Sequence, residues 1–217
     1  MAKLKLTVLI SGRGSNLQSL LDACAEADFP AQIVQVISNV PDVAGLEKAR
    51  KAGIPTAVVD HKTFPDRLGF EAALNTVIDD AAPGLICLAG FMRLLSDAFV
   101  NAWRDRIVNI HPSLLPAFRG LHIHERVIDA GVRFSGCTVH YVRPEMDDGP
   151  IIVQAAVPVL KDDDAKSLSV RVLEQEHRIY PLAVRLIAEG RARVTGAKVF
   201  LENVDEPEKS LLNPCRN

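Results

Sequence analysis

The sequence predicts an α/β domain in which a mainly parallel, twisted sheet is flanked by helices. Short apolar segments rich in β-branched residues alternate with segments whose apolar residues recur at helical spacing. This alternation is typical of strands joined by crossover helices, which make a sheet parallel. Residues 85–89 are continuously apolar between two glycines, as expected of a strand that helices cover on both faces.

The elements follow in order from these patterns. The apolar segment 5–10 is predicted to be a strand, and the spacing of Leu17, Leu20, Leu21 and Cys24 predicts a helix after it. Further helices are predicted at residues 43–52, 66–81, 96–104, 122–130 and 165–189, with Ser96 as the N-cap of its helix. Further strands are predicted at residues 33–38, 56–59, 85–89, 107–110, 138–142 and 151–159, and two short strand-like pieces lie around Val194 and Val199. These elements form a Rossmann-like three-layer domain.

The length and composition exclude several functional classes. The 217 residues suffice for one domain, placed at residues 1–201, and the polar segment 202–217 is predicted to be a flexible tail. Lys and Arg number 25 against 27 Asp and Glu, and a net charge of -2 offers no broad surface for nucleic acid or membrane. The sequence lacks the roughly 20 apolar residues of a membrane span and the apolar core of a signal peptide. Four widely spaced cysteines fit reduced thiols, so we expect a cytoplasmic protein.

A glycine-rich loop, GRGSN at residues 12–16, follows the first strand and opens the first helix. Backbone amides and the positive end of a helix dipole can bind a phosphate in such a loop. The loop is not a dinucleotide fingerprint, because Leu17 stands at the third glycine position and the second strand ends in Ser38 and Asn39. A tight turn with Ser15 as the helix N-cap explains the same residues, so both interpretations stay open.

Asn109 and His111 lie two residues apart on a predicted strand and therefore point to the same face. An amide beside an imidazole suits a reaction that needs a donor for an oxyanion and a proton shuttle. A structural turn made rigid by Pro112 is the alternative. The segment DDGP at residues 147–150 has the composition of a turn, and Asp147 matters for chemistry only if it approaches His111.

Two further sets of polar residues, four histidines and an acidic run, have structural explanations. His111, His122, His124 and His140 do not form a metal-ligand pattern, because His122 and His124 do not share a helix face and no acidic residue completes a familiar spacing. We therefore expect no metal. The acidic run at residues 162–164 precedes a helix, where a solvated negative charge favours the helix dipole.

Six motifs resemble, in the same order, those of the phosphoribosylglycinamide formyltransferases, over about residues 4–200. They are SGRGSNLQ at 11–18, LAGFMRLLS at 88–96, NIHPSLLP at 109–116, GLHIH at 120–124, DDGPI at 147–151 and EQEHRIYP at 174–181. The Asn-x-His motif and the Asp turn are shared by other enzymes that use 10-formyltetrahydrofolate, whereas the first and fourth motifs are more specific to the purine enzymes. Residues 117–119 and Asp148 depart from the family pattern.

The resemblance implies transfer of a formyl group from N10 of 10-formyltetrahydrofolate, a cosubstrate, to the amine of phosphoribosylglycinamide in de novo purine synthesis. Asn109 and His111 hold the formyl oxygen as it becomes anionic, His111 shuttles the proton, and Asp147 supports the charged imidazole. The amine is itself the nucleophile, so no metal and no covalent enzyme intermediate is implied. The resemblance divides the domain into a phosphate-binding half, about residues 1–100, and a folate-binding and catalytic half, about residues 101–201.

The resemblance also assigns the binding residues. The phosphoribosylglycinamide site comprises Gly14, Ser15, Asn16, Leu173, Glu174, Gln175 and Glu176. The folate site comprises Arg67, Met92, Arg93, Leu94, Leu95, Asn109, Arg143, Pro144, Glu145, Met146 and Asp147.

Two other functions stay open as alternatives. A formyltetrahydrofolate deformylase would use the same three residues on water, but it needs no phosphate loop opposite the folate. A non-enzymatic nucleotide-binding module would use only the loop at 12–16 and would leave Asn109, His111 and Asp147 unexplained. The expected partners are small-molecule substrates, with no nucleic acid and no membrane, and the sequence leaves a homodimer open.

Overall fold

The computed structural model describes residues 2–205 and 210–214. The main sheet consists of β1 (Leu4–Ile10), β2 (Ala31–Ser38), β3 (Thr56–Val58), β4 (Leu85–Leu88), β5 (Ile107–His111), β6 (Phe134–Tyr141) and β7 (Ile151–Pro158). The helices are α1 (Ser15–Ala25), α2 (Ala44–Lys51), α3 (Arg67–Ala81), α4 (Asp97–Ala102), α5 (Ile123–Asp129) and α6 (Ala165–Ala188), with a short 3-10 helix at His61–Thr63. A separate hairpin pairs β8 (Ala192–Thr195) with β9 (Lys198–Leu201).

The seven-stranded sheet has the order β3-β2-β1-β4-β5-β6-β7. The pairings from β3 to β5 are parallel, whereas β5 pairs with β6 and β6 pairs with β7 in antiparallel fashion. The predicted α/β class and mainly parallel sheet are confirmed. Since β1, β4 and β5 are neighbouring parallel strands, their carboxyl ends meet at one edge, which is where ligands bind in such folds.

Helices pack on both faces of the sheet, so the domain has three layers. Leu6 and Val8 of β1 belong to the core cluster that includes residues of α1 and α6, whereas Leu9 packs with residues of α3. This alternation follows from the two-residue period of a strand. On the first face, the buried Tyr180 hydroxyl of α6 lies 2.9 Å from the carbonyl oxygen of Leu88, to which it donates a hydrogen bond.

The predicted helix boundaries hold within a few residues, with one correction at α1. Ser96 caps α4 as predicted, because its side chain accepts a hydrogen bond from Phe99 N. Ser15 does not cap α1. Gly14 occupies the N-cap position with φ 67°, a left-handed conformation that favours glycine, and makes no side-chain cap.

The acidic residues before α6 are not only solvated charges at the helix N-terminus, because two of them bind other groups of the protein. Asp164 caps the helix through Ser167, as the dipole argument anticipates. Asp163, however, accepts two hydrogen bonds from Arg171, at 2.6 and 2.9 Å, and one from the backbone N of Leu160. These contacts connect the end of β7 to α6, and the Arg171 guanidinium lowers the pKa of Asp163 well below its usual range.

The C-terminal segment contacts the domain where the structure describes it. The Asn213 side chain donates hydrogen bonds to the carbonyl oxygens of Arg133 and Val159, at 2.6 and 3.0 Å. Part of the predicted tail, residues 206–209 and 215–217, lies outside the described residues. Among residues 2–205 and 210–214, no helix is long and apolar enough to cross a membrane.

Replacing Asp163 with Asn tests the connection between β7 and α6. A carboxyl whose pKa is lower in the folded chain stabilises the fold above its unfolded pKa, and this stabilisation is lost as the pH falls below about 4. We therefore expect Asp163→Asn to lower the free energy of unfolding at neutral pH, with a difference from the parent that shrinks towards pH 2. Urea titrations across this range measure it. Asp162→Asn, on an exposed neighbour, is the matched control, and equal effects of the two variants would contradict the assignment.

Candidate active site

Three segments meet at the carboxyl edge of β1, β4 and β5. The loop after β1 contacts the loop after β4, since Ser11 N donates to Gly90 O at 3.1 Å and Met92 N donates to the Ser11 hydroxyl at 2.7 Å. The end of β5 lies beside β4 in the sheet. The connection between β6 and β7 returns to the end of β5, where it places Asp147 against His111.

His111 and Asp147 form the buried centre of this site. His111 is 5% exposed, and its Nδ1 lies 3.5 Å from Oδ2 of Asp147. Asp147 has φ 53°, in the left-handed region that Asp tolerates better than most residues. The condition that the sequence left open, an approach of Asp147 to His111, is met. Asn109 lies two residues before His111 on β5, and both are half or more buried.

The antiparallel register of β5 and β6 adds a residue that sequence analysis did not assign. Asn109 is opposite His140, and His111 is opposite Thr138. Nε2 of His140 lies 3.4 Å from Nδ2 of Asn109 and 4.0 Å from Oδ1 of Asp147. Burial lowers the pKa of His140, which favours the neutral imidazole. In the sequence, the alternation of Thr138 and His140 on an otherwise apolar strand could have indicated that His140 faces the site.

A segment between β5 and α5 lies against both His111 and Asp147. His111 Nε2 donates a hydrogen bond to the carbonyl oxygen of Phe118 at 3.0 Å, and Gly120 N donates to Oδ2 of Asp147 at 2.9 Å. Arg119 forms an ion pair with Asp148. Two positions that depart from the family pattern are therefore direct partners in this structure.

The glycine-rich loop brings together residues that are distant in the sequence. A Cβ on Gly14 would lie 2.8 Å from the Cα of Gly45, so the loop packs closely against the start of α2. The buried Asn16 donates a hydrogen bond from Nδ2 to Oε2 of Glu176 at 2.7 Å. Burial raises the pKa of Glu176. Two residues predicted to bind one substrate are thus in contact.

Two basic residues near this loop were not predicted. Lys48 of α2 donates a hydrogen bond from Nζ to the carbonyl oxygen of Gly14 at 3.1 Å, which puts a positive charge beside the loop. His177 lines a cavity of about 390 Å³ together with Ser15, between α1 and α6. Its buried Nε2 has no protein partner, and burial and Lys48 lower its pKa. The sequence signal for His177 was its place beside Glu176 in the motif at residues 174–181.

The residues predicted to bind folate fall into one group that lines a cavity and another group with different surroundings. Arg67, Met92, Arg93 and Leu94 line a second cavity of about 370 Å³. Met92 and Leu94 are 69% and 65% exposed, which is unusual for large apolar side chains. Arg143, in contrast, directs its guanidinium to Asp105 at 2.6 Å. Among the others, Leu95 and Pro144 are half-buried and Glu145 and Met146 are exposed.

The four predicted residues on α6 face different directions, because consecutive helix residues are about 100° apart. Glu176 faces Asn16, and Leu173 is half-buried. Glu174 is exposed, and Gln175 accepts a hydrogen bond from Arg178 at 3.0 Å. Within the described ranges, His, Cys, Asp and Glu side chains form no group of three that could hold a metal ion.

Comparison with known proteins gives consistent matches. A family model described as "Formyl transferase" matches residues 4–184. The chain is 51% identical over 192 residues, 88% of its length, to the trifunctional purine biosynthetic protein adenosine-3 of Bos taurus, of which it spans only 19%. It is 42% identical to phosphoribosylglycinamide formyltransferase of Haemophilus influenzae, covering 96% of this chain and 99% of the relative.

Solved structures agree with these matches. The glycinamide ribonucleotide transformylase 1 of Symbiobacterium toebii superposes with a TM-score of 0.89 at 47% identity, and the match covers 92% of this chain and 94% of that one.

Proposed function

The chain belongs to the formyl transferase family, and from this membership we infer that it is a phosphoribosylglycinamide formyltransferase. It transfers the formyl group of 10-formyltetrahydrofolate to the amine of phosphoribosylglycinamide, a step of de novo purine biosynthesis. The products are formylglycinamide ribonucleotide and tetrahydrofolate. The contact between His111 and Asp147, with Asn109 on the same face of β5, is the observation that best supports this function.

The residues of the second cavity suit a folate donor. Met92 and Leu94 expose apolar side chains, which can cover a flat heterocycle, and Arg67 offers a cation for the carboxylates of the folate tail. The donor supplies the formyl carbon, whose bond to N10 breaks as the amine bonds to it. The side chains of this protein hold the reactants and move protons.

Asn109 and His111 bind the formyl oxygen as its negative charge increases. Hydrogen-bond donors that are held in place before the reaction stabilise such charge without reorganisation, which accounts for a large part of the rate enhancement in many enzymes. Asp147, 3.5 Å from Nδ1 of His111, stabilises the charged imidazole. The charged His111 gives the proton of Nε2 to the leaving nitrogen, and the proton that the attacking amine loses restores the charged imidazole.

His111 must exchange one hydrogen bond before it acts. Its Nε2, the ring nitrogen farther from Asp147, donates to the carbonyl oxygen of Phe118. For Nε2 to donate to the formyl oxygen, that oxygen must take the place of the Phe118 carbonyl as the acceptor.

The glycine-rich loop supports phosphoribosylglycinamide binding and argues against deformylation. Gly14, Ser15 and Asn16 bind the phosphate at the N-terminus of α1, where backbone amides and the helix dipole favour an anion. Lys48 and His177 add positive charge or donors at the same end. Glu176 accepts hydrogen bonds from the ribose hydroxyls. The reaction needs no metal and proceeds in the cytoplasm with small-molecule substrates, and a homodimer stays open.

The first prediction is that folate product requires the amine substrate. Purified enzyme with 10-formyltetrahydrofolate should form tetrahydrofolate rapidly only when phosphoribosylglycinamide is present, because its amine is the proposed nucleophile. Absorbance of the folate product measures the rate in both mixtures. Equal rates with and without the amine would favour the deformylase.

The second prediction concerns the phosphate loop. Gly14→Val forces a side chain onto a residue with φ 67° and against Gly45, so the KM for phosphoribosylglycinamide should rise far more than the KM for the folate. Gly131→Val is the control, because Gly131 also has a positive φ, 64°, with no atom within 4 Å of its added Cβ. An unchanged amine KM in a folded Gly14→Val enzyme would contradict the assignment.

The third prediction separates the charge of Asp147 from its shape. Asp147→Asn keeps an acceptor for Gly120 N but removes the negative charge beside His111. The kcat should fall by about 10²–10⁴-fold, the typical contribution of general acid–base catalysis, while the Tm changes little. Asp148→Asn, at an exposed neighbour, should retain most of the kcat. Similar losses in both variants would indicate a disturbed turn instead of a lost charge.

A further inference from the structure

We propose that His140 positions the catalytic amide of Asn109 by accepting a hydrogen bond from Nδ2 at its own Nε2. This inference rests on the proposed function, because it assigns a donor role to Asn109. His140 itself does not touch the formyl group, so it is a positioning residue.

The register of the sheet makes the two side chains neighbours. Asn109 and His140 are opposite residues of the antiparallel β5–β6 pair, and opposite side chains lie on one face about 5 Å apart at Cβ. Nδ2 of Asn109 lies 3.4 Å from Nε2 of His140. His140 is 2% exposed, so water cannot readily take the place of this partner.

The other ring nitrogen determines the direction of the hydrogen bond. Nδ1 of His140 lies 3.0 Å from the carbonyl oxygen of Tyr141, which can only accept. Nδ1 therefore has the proton, and in the neutral ring Nε2 presents a lone pair. Burial disfavours the charged ring and lowers the pKa of His140. Asp147 raises this pKa and His111 lowers it further, but burial has the largest effect.

A lone pair at Nε2 selects one orientation of the Asn109 amide. Rotating the amide by 180° would bring Oδ1 against Nε2, and two acceptors would face each other inside the protein. The observed orientation places the NH2 group at His140 with one N–H bound and the second N–H free for another acceptor. Only a donor stabilises a developing oxyanion, so the tautomer of His140 supports the catalytic orientation of Asn109.

Asp147 is the competing partner for His140. Its Oδ1 lies 4.0 Å from Nε2, and binding there requires a proton on Nε2. That arrangement would turn His140 into a donor and leave Asn109 without its acceptor. The two arrangements differ in the position of one proton, which can be measured directly.

Long-range ¹H–¹⁵N correlation NMR of the parent enzyme, labelled at histidine, reports the tautomer near neutral pH. We expect His140 to be neutral with Nδ1 protonated and Nε2 bare. A ring with a proton on Nε2, neutral or charged, would overturn the proposal. The measurement needs no variant and no turnover, so it decides the pairing even if the proposed function fails.

A matched pair of variants tests the kinetic consequence. His140→Gln keeps an acceptor near the position of Nε2, whereas His140→Asn keeps a donor for the Tyr141 carbonyl but loses the acceptor for Asn109. We expect kcat to fall by at least about tenfold in His140→Asn and to recover substantially in His140→Gln. The KM values of both substrates should change little, since His140 acts through Asn109. Far-UV circular dichroism and Tm identify any variant that fails to fold.

A double-mutant cycle shows whether the effect passes through Asn109. Once Asn109→Ala has removed the amide, adding His140→Asn should reduce kcat no further. Full additivity of the two losses, or equal losses in His140→Asn and His140→Gln, would overturn the proposal. A parent enzyme that transfers no formyl group would instead reject the proposed function.

Discussion

The register between β5 and β6 is the constraint on which the candidate active site depends. It places Asn109 opposite His140 and His111 opposite Thr138, so four polar side chains share one face of an otherwise apolar strand pair. Since side chains alternate every residue, a slip of β6 by one residue would turn Thr138 and His140 away from the face that carries Asn109 and His111. Backbone hydrogen bonds from Tyr141 N to Pro150 O and from Val142 N to Ile107 O maintain the pairing at its open end.

The connection from β6 to β7 completes the site because it packs without a side chain at Gly149. A Cβ at that position would lie 1.6 Å from the carbonyl oxygen of Tyr141, so any other residue would push the connection away from β6. The close packing brings Asp147 back to His111, in a left-handed backbone conformation that costs about 1 kcal/mol or more. The surrounding contacts maintain this conformation, and the charge of Asp147 lies beside the imidazole.

Helix α6 contacts both the glycine-rich loop and the end of β4. Its Glu176 contacts Asn16 of the phosphate loop, and one turn later the Tyr180 hydroxyl donates to the carbonyl oxygen of Leu88, at the end of β4. A single rigid helix therefore connects the loop proposed to bind phosphate with the strand that precedes the proposed folate loop. The helix therefore keeps a constant distance between the proposed phosphate site and the proposed folate site, although their residues are far apart in the sequence.

The sequence by itself determined the α/β class, most element boundaries and the pairing of Asn109 with His111, because these depend on local periodicity. It pointed to Asp147 as a turn residue that could approach His111, and to Glu176 only through resemblance to a family. The sequence could not reveal the contacts of His140 with Asn109, of the Phe118 carbonyl with His111 or of Lys48 with Gly14, since each depends on register, loop path or helix packing. It left Ser15 open as a cap, and only the close approach of Gly14 to Gly45, a tertiary contact, shows Gly14 at that position. Patterns along the chain predict elements, whereas distances between groups separated by tens of residues arise only when those elements pack.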